Sequence, residues 1–586
     1  MLKELEKKLC NCFGTSSLRL SFIEDTNFGD VTTNIAMINA KKESVNPVEL
    51  AKRYAEIYET DNYIKSVFKK VEVAGPGFIN FTFDERYLED NFNLNIKNIK
   101  NKIREESVYN NKEVLVEYTD PNPFKVFHIG HLMTNIIGEF VANSYEVLGA
   151  GVKRINYQGD IGRHIAISIY AILKEENYKK FLELVENKNI SIKEKVIWLG
   201  QKYAEGYADF DLEDNDENLS KENKLIVKKV EEINKSIYEK SDEVINDIYN
   251  MGRAWSLDYF ETLYKLLGTR FDKYIFESEA APFGLNLVKE NTGFGKVFEV
   301  GDGGAIIYDG EKEGLHKRVF INKNGLPTYE AKDLGNMQIK LETFPEIFKS
   351  VVITGSEQID YSKVLYKSIE KLFPNLENKL AHMGHGMMRF ADGKMSSRKG
   401  NVIAGDELIE NIKESLEEKF KDSRIKNKLE KDFLLEKVSI STIKYSVLKQ
   451  AIGRDVIFDM EKATSTDGDS GPYLQYTHAR LSAILNKQNI FINILNNLSH
   501  KIKITENNKS IILLLMNFEN ILKETAEGVA PQKMLTYLIN LSHAFNTFYA
   551  KEKIDGDKNN LKLAKNIKEV IKEGLNLLGI YAPERM

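Results

Sequence analysis

Cysteine is nearly absent. The 586-residue chain holds only Cys10 and Cys12, too few and too close for a disulfide framework, and with no C-x-x-C pair structural zinc is not expected. Long apolar runs are missing too. No stretch reaches the ~18 apolar residues a membrane span requires, and the opening M-L-K-E-L-E-K-K-L is charged where a signal peptide carries its apolar core. A cytoplasmic protein without membrane contact is the expectation. Nor does charge of one sign dominate: 82 Lys and Arg against 87 Asp and Glu leave a net −5. Such a balance does not announce a nucleic-acid binder, so any RNA-holding face must concentrate its Lys and Arg locally. Repeats and low-complexity tracts are absent. What remains is an ordinary globular composition, 42% hydrophobic and 29% charged, with length for about three or four domains.

The most informative stretch is Val114 to Gly138, V-L-V-E-Y-T-D-P-N-P-F-K-V-F-H-I-G-H-L-M-T-N-I-I-G. It opens like a β-strand, is stopped by Pro121 and Pro123, and places H-I-G-H where a helix begins. A helix N-terminus presents unpaired N–H groups and partial positive charge, which suits phosphate. His128 and His131 add ring donors, and Gly130 removes a side chain where a flat base could lie against backbone. Plain helix capping would produce the same letters. Far downstream stands F-A-D-G-K-M-S-S-R-K-G-N-V, Phe390 to Val402, with Lys394, Arg398 and Lys399 between two glycines and Arg389 just upstream. By itself that is a basic turn. Together, H-I-G-H after a first strand and K-M-S-x-x after a last one resemble the paired signatures of class I aminoacyl-tRNA synthetases, whose Rossmann-type domain activates an amino acid with ATP.

Around these segments the chain divides into three. Residues 1–100 read as a small α/β unit: Asn46 to Tyr58 is a helix with Pro47 in its first turn, and Val71 to Phe83 is two strand-like runs about a Gly-Pro-Gly turn. Phe78 and Asn80 there could stack on and hydrogen-bond an unpaired base, or be ordinary strand residues. The polar stretch Asn98 to Lys112 reads as a linker. Residues 112–405 form an α/β unit with a β-α-β start and strands again at Val297 to Tyr308, Val319 to Ile321 and Val351 to Thr354. A mostly helical insertion spans about 166–267, within which Asp209 to Asp247 reads as solvated helix. G-F-G-K at Gly293 and G-D-G-G at Gly301 lack the strand-then-helix setting of a dinucleotide fingerprint and read as hairpin turns. Residues 406–586 are expected to be helical.

Activation of a carboxylate by ATP asks the protein for positioning and for stabilisation of phosphate charge. His128, His131 and the Lys394 loop fit that need. Magnesium on the leaving phosphates is expected chemically. A guanidinium substrate carries five donors and no acceptor, so its pocket must supply carboxylates and neutral acceptors. Asp333 shares a helix face with Tyr329, Glu277 lies in F-D-K-Y-I-F-E-S, Gln358 in V-I-T-G-S-E-Q-I-D-Y, and Asn122 just before H-I-G-H. Any one acid taken alone is ordinarily a surface charge.

These segments, with N-F-G-D-V-T-T-N-I-A-M, N-Y-Q-G-D-I-G, P-T-Y-E-A-K-D-L-G, G-P-Y-L-Q-Y-T-H-A-R and the terminal L-L-G-I-Y-A-P-E-R-M, resemble in order the arginyl-tRNA synthetase family over nearly the whole chain. The resemblance implies a domain at 1–100 that contacts the tRNA elbow through Phe78 and Asn80, and an arginine pocket of Asn122, Glu277, Tyr329, Asp333 and Gln358. It implies ATP contacts from His128, Gly130, His131, Lys394, Met395, Ser396 and Arg398. It implies a helical anticodon-binding module at 406–586 meeting tRNA-Arg through Tyr473, Tyr476, Arg480 and the terminal Met586. The usual second lysine of K-M-S-K-S is replaced by Ser397; members of the family that lack it use a lysine matching Lys125, with Lys399 the alternative here. Arginine activation dependent on bound tRNA, first attachment at the 2′-hydroxyl and a monomeric enzyme are further implications. An editing domain is not expected, because a site built for a guanidinium rejects analogues that leave its acids unpaired.

Overall fold

The structure, a computed structural model, describes residues 2–23, 26–209, 221–391, 403–421, 425, 427–487, 501–554 and 556–586. Its first unit is a four-stranded antiparallel sheet, with Ser21–Phe22, Val31–Thr33, Phe78–Phe83 and Phe68–Ala74 in that spatial order. Period-two patterning sets the faces: Ile79, Phe81 and Phe83 are fully buried while Phe78 points outward. Helix Pro47–Thr60 starts where expected, because Asn46 accepts from the Val48 and Glu49 amides and proline occupies the first turn.

The expected linker is a helix. Ile96–Glu106 is capped by Asn95 and buries Ile103, and Lys102 reaches Glu519 on helix Lys509–Glu527 at 2.5 Å. Ile96, Ile99 and Ile103 recur at helical spacing, a thin stripe that the surrounding Lys and Asn conceal.

The central sheet is five-stranded and wholly parallel. In chain order its strands are β1 (Glu113–Glu117), β2 (Gly151–Gln158), β3 (Lys273–Phe276), β4 (Ile347–Gly355) and β5 (Leu380–His385), and in space they run β5-β4-β1-β2-β3. Val114, Leu115 and Val116 are fully buried, as the inner strand of a sheet covered on both faces requires. The chain leaves β1 toward β2 and β3, then returns to the other side for β4 and β5. That reversal opens a crevice at the carboxyl ends of β1 and β4, where ligands bind in open α/β sheets. The α/β class and the Rossmann-type sheet are as expected.

Between β2 and β3 the insertion supplies helices Arg163–Ile172, Glu175–Glu186, Ile192–Asp209, Lys221–Glu239 and Glu243–Leu267. After β3, helix Glu277–Glu290 packs against helix Tyr329–Thr343 almost backbone to backbone. A Cβ on Gly284 would lie 1.7 Å from the Ala331 carbonyl oxygen, and one on Gly335 1.9 Å from that of Ala280. Between these helices sits a three-stranded antiparallel sheet, Glu299–Val300, Ile306–Tyr308 and Arg318–Ile321. The run expected at Val297 to Tyr308 is therefore two short strands turning at Asp302–Gly304. Beyond residue 405 helices prevail, except that Val456–Phe458 adds a short parallel strand to Met388–Phe390.

Candidate active site

The loop from β1 to the first signature is strained and heavily tied. Thr119, Asp120 and Phe124 all have positive φ, at 80°, 43° and 66°, in a region non-glycine residues seldom enter unless their surroundings over-determine it. Here they do. The Tyr157 amide donates to Asp120 at 2.8 Å, the Phe124 amide to Ser256 Oγ at 3.0 Å and Asn135 to Thr119 Oγ1 at 3.0 Å.

This loop delivers His128 to the N-cap of helix Ile129–Val147. The Gly130 amide donates to His128 Nδ1 at 3.1 Å, the His128 amide donates to His131 Nδ1 at 3.3 Å, and the two rings stack with centroids 3.8 Å apart. An Nδ1 that accepts carries no proton, so each neutral ring keeps its proton on Nε2. Burial, helped by the Lys125 charge, pushes His128 down to about 4, and burial holds His131 well below its ordinary range. Both are thus neutral Nε2–H donors. Gly130 lets the His128 ring fold back, since a Cβ there would stand 2.9 Å from it.

The helix N-terminus faces a cavity of about 650 Å³ at the switch point of the sheet. His128, Gly130 and His131 line it together with Asn122, Glu277, Tyr329, Asp333 and Gln358. Every described residue expected at the ATP signature and the arginine pocket is thus on one wall or another of one cavity, except Lys125. Its ammonium lies 4.9 Å above the Tyr203 ring beside the cavity, and burial lowers its pKa against the pull of Glu277. Lys394, Met395, Ser396, Arg398 and Lys399 lie outside the described residues. The chain on either side of them meets the site: Met387 and Met388 line the cavity, and the Ile403 carbonyl accepts from Ile129 at 3.2 Å while the Gly405 amide donates to Phe127 at 2.8 Å.

The acids of the cavity are held in different ways. Glu277 pairs with Lys332 at 2.7 Å and Glu117 with Lys340 at 2.6 Å, all four side chains buried. Burial pushes the Glu277 carboxyl up and Lys332 opposes it. Asp333 accepts from the Tyr361 hydroxyl at 2.6 Å, yet burial and the nearby Glu117 and Glu277 charges push it up to about 7. Burial, with Glu117, holds Asp120 well above the carboxylate range. At the far side, His385 at the end of β5 contacts Thr134 on the signature helix at 2.8 Å. The sequence reading missed Lys332, Lys340, Asn336 and Tyr361. The polar residues Tyr329, Asp333, Asn336 and Lys340 mark one face of a helix at spacings of three and four, a signal that was there to be used.

Three family models account for most of the chain: "tRNA synthetases class I (R), catalytic domain" matches residues 95–460, "DALR anticodon binding domain" 474–586 and "Arginyl tRNA synthetase N terminal domain" 2–83. The chain belongs to the arginyl-tRNA synthetase family. The arginine–tRNA ligase of Fusobacterium nucleatum is 31% identical over 99% of this chain and 98% of its own length. That of Borreliella burgdorferi is 28% identical over 95% and 92%. In fold the chain resembles the solved arginyl-tRNA synthetase of Thermus thermophilus, with TM-score 0.72, 20% identity and all of both chains covered. It likewise resembles that of Plasmodium falciparum, with TM-score 0.71, 21% identity and 100% and 99% covered.

None of the residues expected to meet tRNA lines that cavity. Phe78 is 36% exposed. Asn80 beside it donates to the Phe28 carbonyl at 2.9 Å and accepts from Thr32 at 2.6 Å. On helix Gly471–Asn486, Tyr476 is exposed and lies under the Arg480 guanidinium at 4.9 Å. Tyr473, assigned with them to the tRNA-facing side, is buried, with its hydroxyl between His543 and Asn546. Packing against helix Pro531–Lys551 has taken that ring, which lies 5.2 Å from the His543 ring. Met586 packs partly against the core.

Proposed function

We propose that this chain activates L-arginine with ATP to arginyl-adenylate and transfers the arginyl group to the 3′-terminal ribose of tRNA-Arg, releasing AMP and pyrophosphate. The observation that carries this reading is the single cavity in which the two signature histidines meet the acids and amides suited to a guanidinium.

In this reading the carboxylate of arginine attacks the α-phosphate and pyrophosphate leaves. The Nε2–H groups of His128 and His131 and the amides of the helix N-terminus donate to phosphate oxygens, each donor worth about 3 kcal/mol in the transition state. Both rings donate as neutral Nε2–H groups, and the attack of a carboxylate on the α-phosphate needs no proton removed from the nucleophile. Lys394, Met395, Ser396 and Arg398 are assigned to ATP on their motif, and Lys125 to the role of the lysine absent at Ser397. Glu277, Asp333, Asn122 and Gln358 supply acceptors to the guanidinium, with Tyr329 as an aromatic wall. Magnesium is proposed to arrive with ATP on its phosphates, where the leaving pyrophosphate needs it.

Phe78 and Asn80 are proposed to meet the tRNA elbow, and Tyr476, Arg480 and the terminal Met586, with Tyr473 as packed support, the anticodon loop. The domain limits 1–100, 112–405 and 406–586 are proposed to follow these tasks. Among the described residues no helix is long and apolar enough to cross a membrane; a monomer working in the cytoplasm is proposed.

The test is exchange of pyrophosphate into ATP, run with each of the twenty amino acids, with and without total tRNA. Exchange is expected with arginine, strong with tRNA and weak without it. Absence of arginine-dependent exchange under every tRNA condition would overturn the proposal.

A further inference from the structure

The two oxygens of Glu277 have different neighbours. Oε2 accepts from Lys332 Nζ at 2.7 Å. Oε1 lies on the opposite side, 3.3 Å from the point a Cβ on Gly159 would occupy, and Asn122 Oδ1 stands 2.2 Å from that same point. Two acceptors therefore converge over the bare backbone of Gly159, and a cation holds the third, Oε2.

Lys332 is not free to swing away. The residue is 5% exposed and Glu277 is 7% exposed. Its ammonium lies 5.2 Å from the Tyr329 ring and close enough to Tyr238 of the insertion to share its charge field. The helices that carry the pair are locked together at Gly284 and Gly335. Next to Glu277, the Ser278 amide and hydroxyl both donate to Asp160, at 2.9 and 2.7 Å, and Asp160 pairs with Arg253 at 2.8 Å. The carboxylate thus sits on a closely packed backbone with a buried cationic partner.

We propose that Lys332 is a positioning residue for arginine recognition: by holding Oε2 it turns Oε1 alone, alongside Asn122 Oδ1, toward the guanidinium. The physical need is clear from the ligand. A guanidinium has only donors, so an acid that took a proton, or whose unpaired oxygen rotated away, would meet it with a mismatch. A buried carboxyl without a counter-charge does both readily. Lys332 removes those options at the cost of one acceptor, and Asn122 replaces the acceptor. The proposal rests on the reading of Glu277 as an arginine-binding acid.

Full-length Lys332→Met, Lys332→Arg, Glu277→Gln and the Lys332→Met/Glu277→Gln double variant are compared by tRNA-supported pyrophosphate exchange. Lys332→Met is expected to raise the arginine KM about tenfold or more while the ATP KM stays within about twofold. Lys332→Arg, which keeps the cation, recovers most of the loss. In the Glu277→Gln background, Lys332→Met adds little, because both changes act through one carboxylate. If Lys332→Met does not fold, Lys332→Gln carries the test with the same split expected. An unchanged arginine KM in Lys332→Met, where Glu277→Gln does raise it, overturns the proposal and leaves the pocket standing. Equal losses for arginine and ATP, or full additivity with Glu277→Gln, overturn it as well. An arginine KM unaffected by Glu277→Gln overturns the reading of the pocket and the proposal with it.

Discussion

The Tyr361 hydroxyl donates to Asp333 Oδ2 at 2.6 Å, and this contact sets how far a buried acid departs from its ordinary titration. Burial pushes Asp333 up, Tyr361 pulls it back, and the net position is about 7. Arginine is a cation and binds the ionised carboxylate, so protons compete with it. The arginine KM should therefore rise as pH falls through about 7 in exchange assays. Tyr361→Phe removes the hydrogen bond that favours ionisation, and should move that rise to higher pH. An arginine KM flat between about pH 6 and pH 8 would remove Asp333 from the pocket.

Gly159 lies where no side chain fits. A Cβ there would stand 2.2 Å from Asn122 Oδ1 and 3.3 Å from Glu277 Oε1, so Gly159→Ala must push at least one acceptor aside. A displacement of about 1 Å at a reacting complex can cost about a hundredfold, and a loss of that order in kcat/KM for arginine is expected. ATP binding, measured separately by calorimetry, should be little changed because His128 and His131 hold their places through the backbone of their own helix. Wild-type arginine use in Gly159→Ala would show that Asn122 and Glu277 do not act from these positions.

How much of this could be read in advance depends on distance along the chain. The strand, loop and helix around His128 were legible because β1 is a continuous apolar run and the capping pattern is local. Tyr329 and Asp333 were legible as one helix face. The partners that tune the acids were not: Lys332 and Glu277 are 55 residues apart, and Asn336 reaches Glu117 across 219. Periodicity reports which face of a helix is polar, and it does not report which acid that face will meet. The strand order β5-β4-β1-β2-β3 was not legible, since pairing between parallel strands is set by crossovers that no short motif encodes. The stretch Asn98 to Lys112 reads as a linker although helix Ile96–Glu106 runs into it, because the charged residues of that helix outnumber the three isoleucines that anchor it.

The signature histidines do two jobs that substitution can separate. Nδ1 of His128 caps the helix through the Gly130 amide, while its Nε2–H is the donor left for phosphate. Asparagine is also a good N-cap, so His128→Asn should keep thermal stability within about 1 kcal/mol of wild type while lowering kcat for exchange about a hundredfold. Thermal melting and exchange on the same preparation check this. A large fall in melting temperature with near-normal exchange would assign the ring to the fold alone.

On the anticodon-side helix two tyrosines one turn apart have different surroundings. Tyr473 is 7% exposed, its hydroxyl 3.1 Å from His543 Nδ1 and accepting from Asn546 at 2.9 Å. Tyr476 is 40% exposed, and Tyr549 on helix Pro531–Lys551 is 41% exposed; the Arg480 guanidinium lies 4.9 Å from the first ring and 5.8 Å from the second. A buried hydroxyl that loses its partners leaves them unsatisfied, so Tyr473→Phe should lower stability by about 1–3 kcal/mol with the tRNA KM unchanged. Stacking of a base on an exposed aromatic is worth about 1–3 kcal/mol, so Tyr476→Ala should raise the tRNA KM about tenfold with little change in melting. Arg480→Ala, which also frees both rings from their cation, should raise it at least as far. Aminoacylation across a tRNA titration, set beside melting curves, separates the two. If Tyr473→Phe instead weakened tRNA use without touching stability, the stacking face would lie on the other side of the helix, where the structure has packed His543.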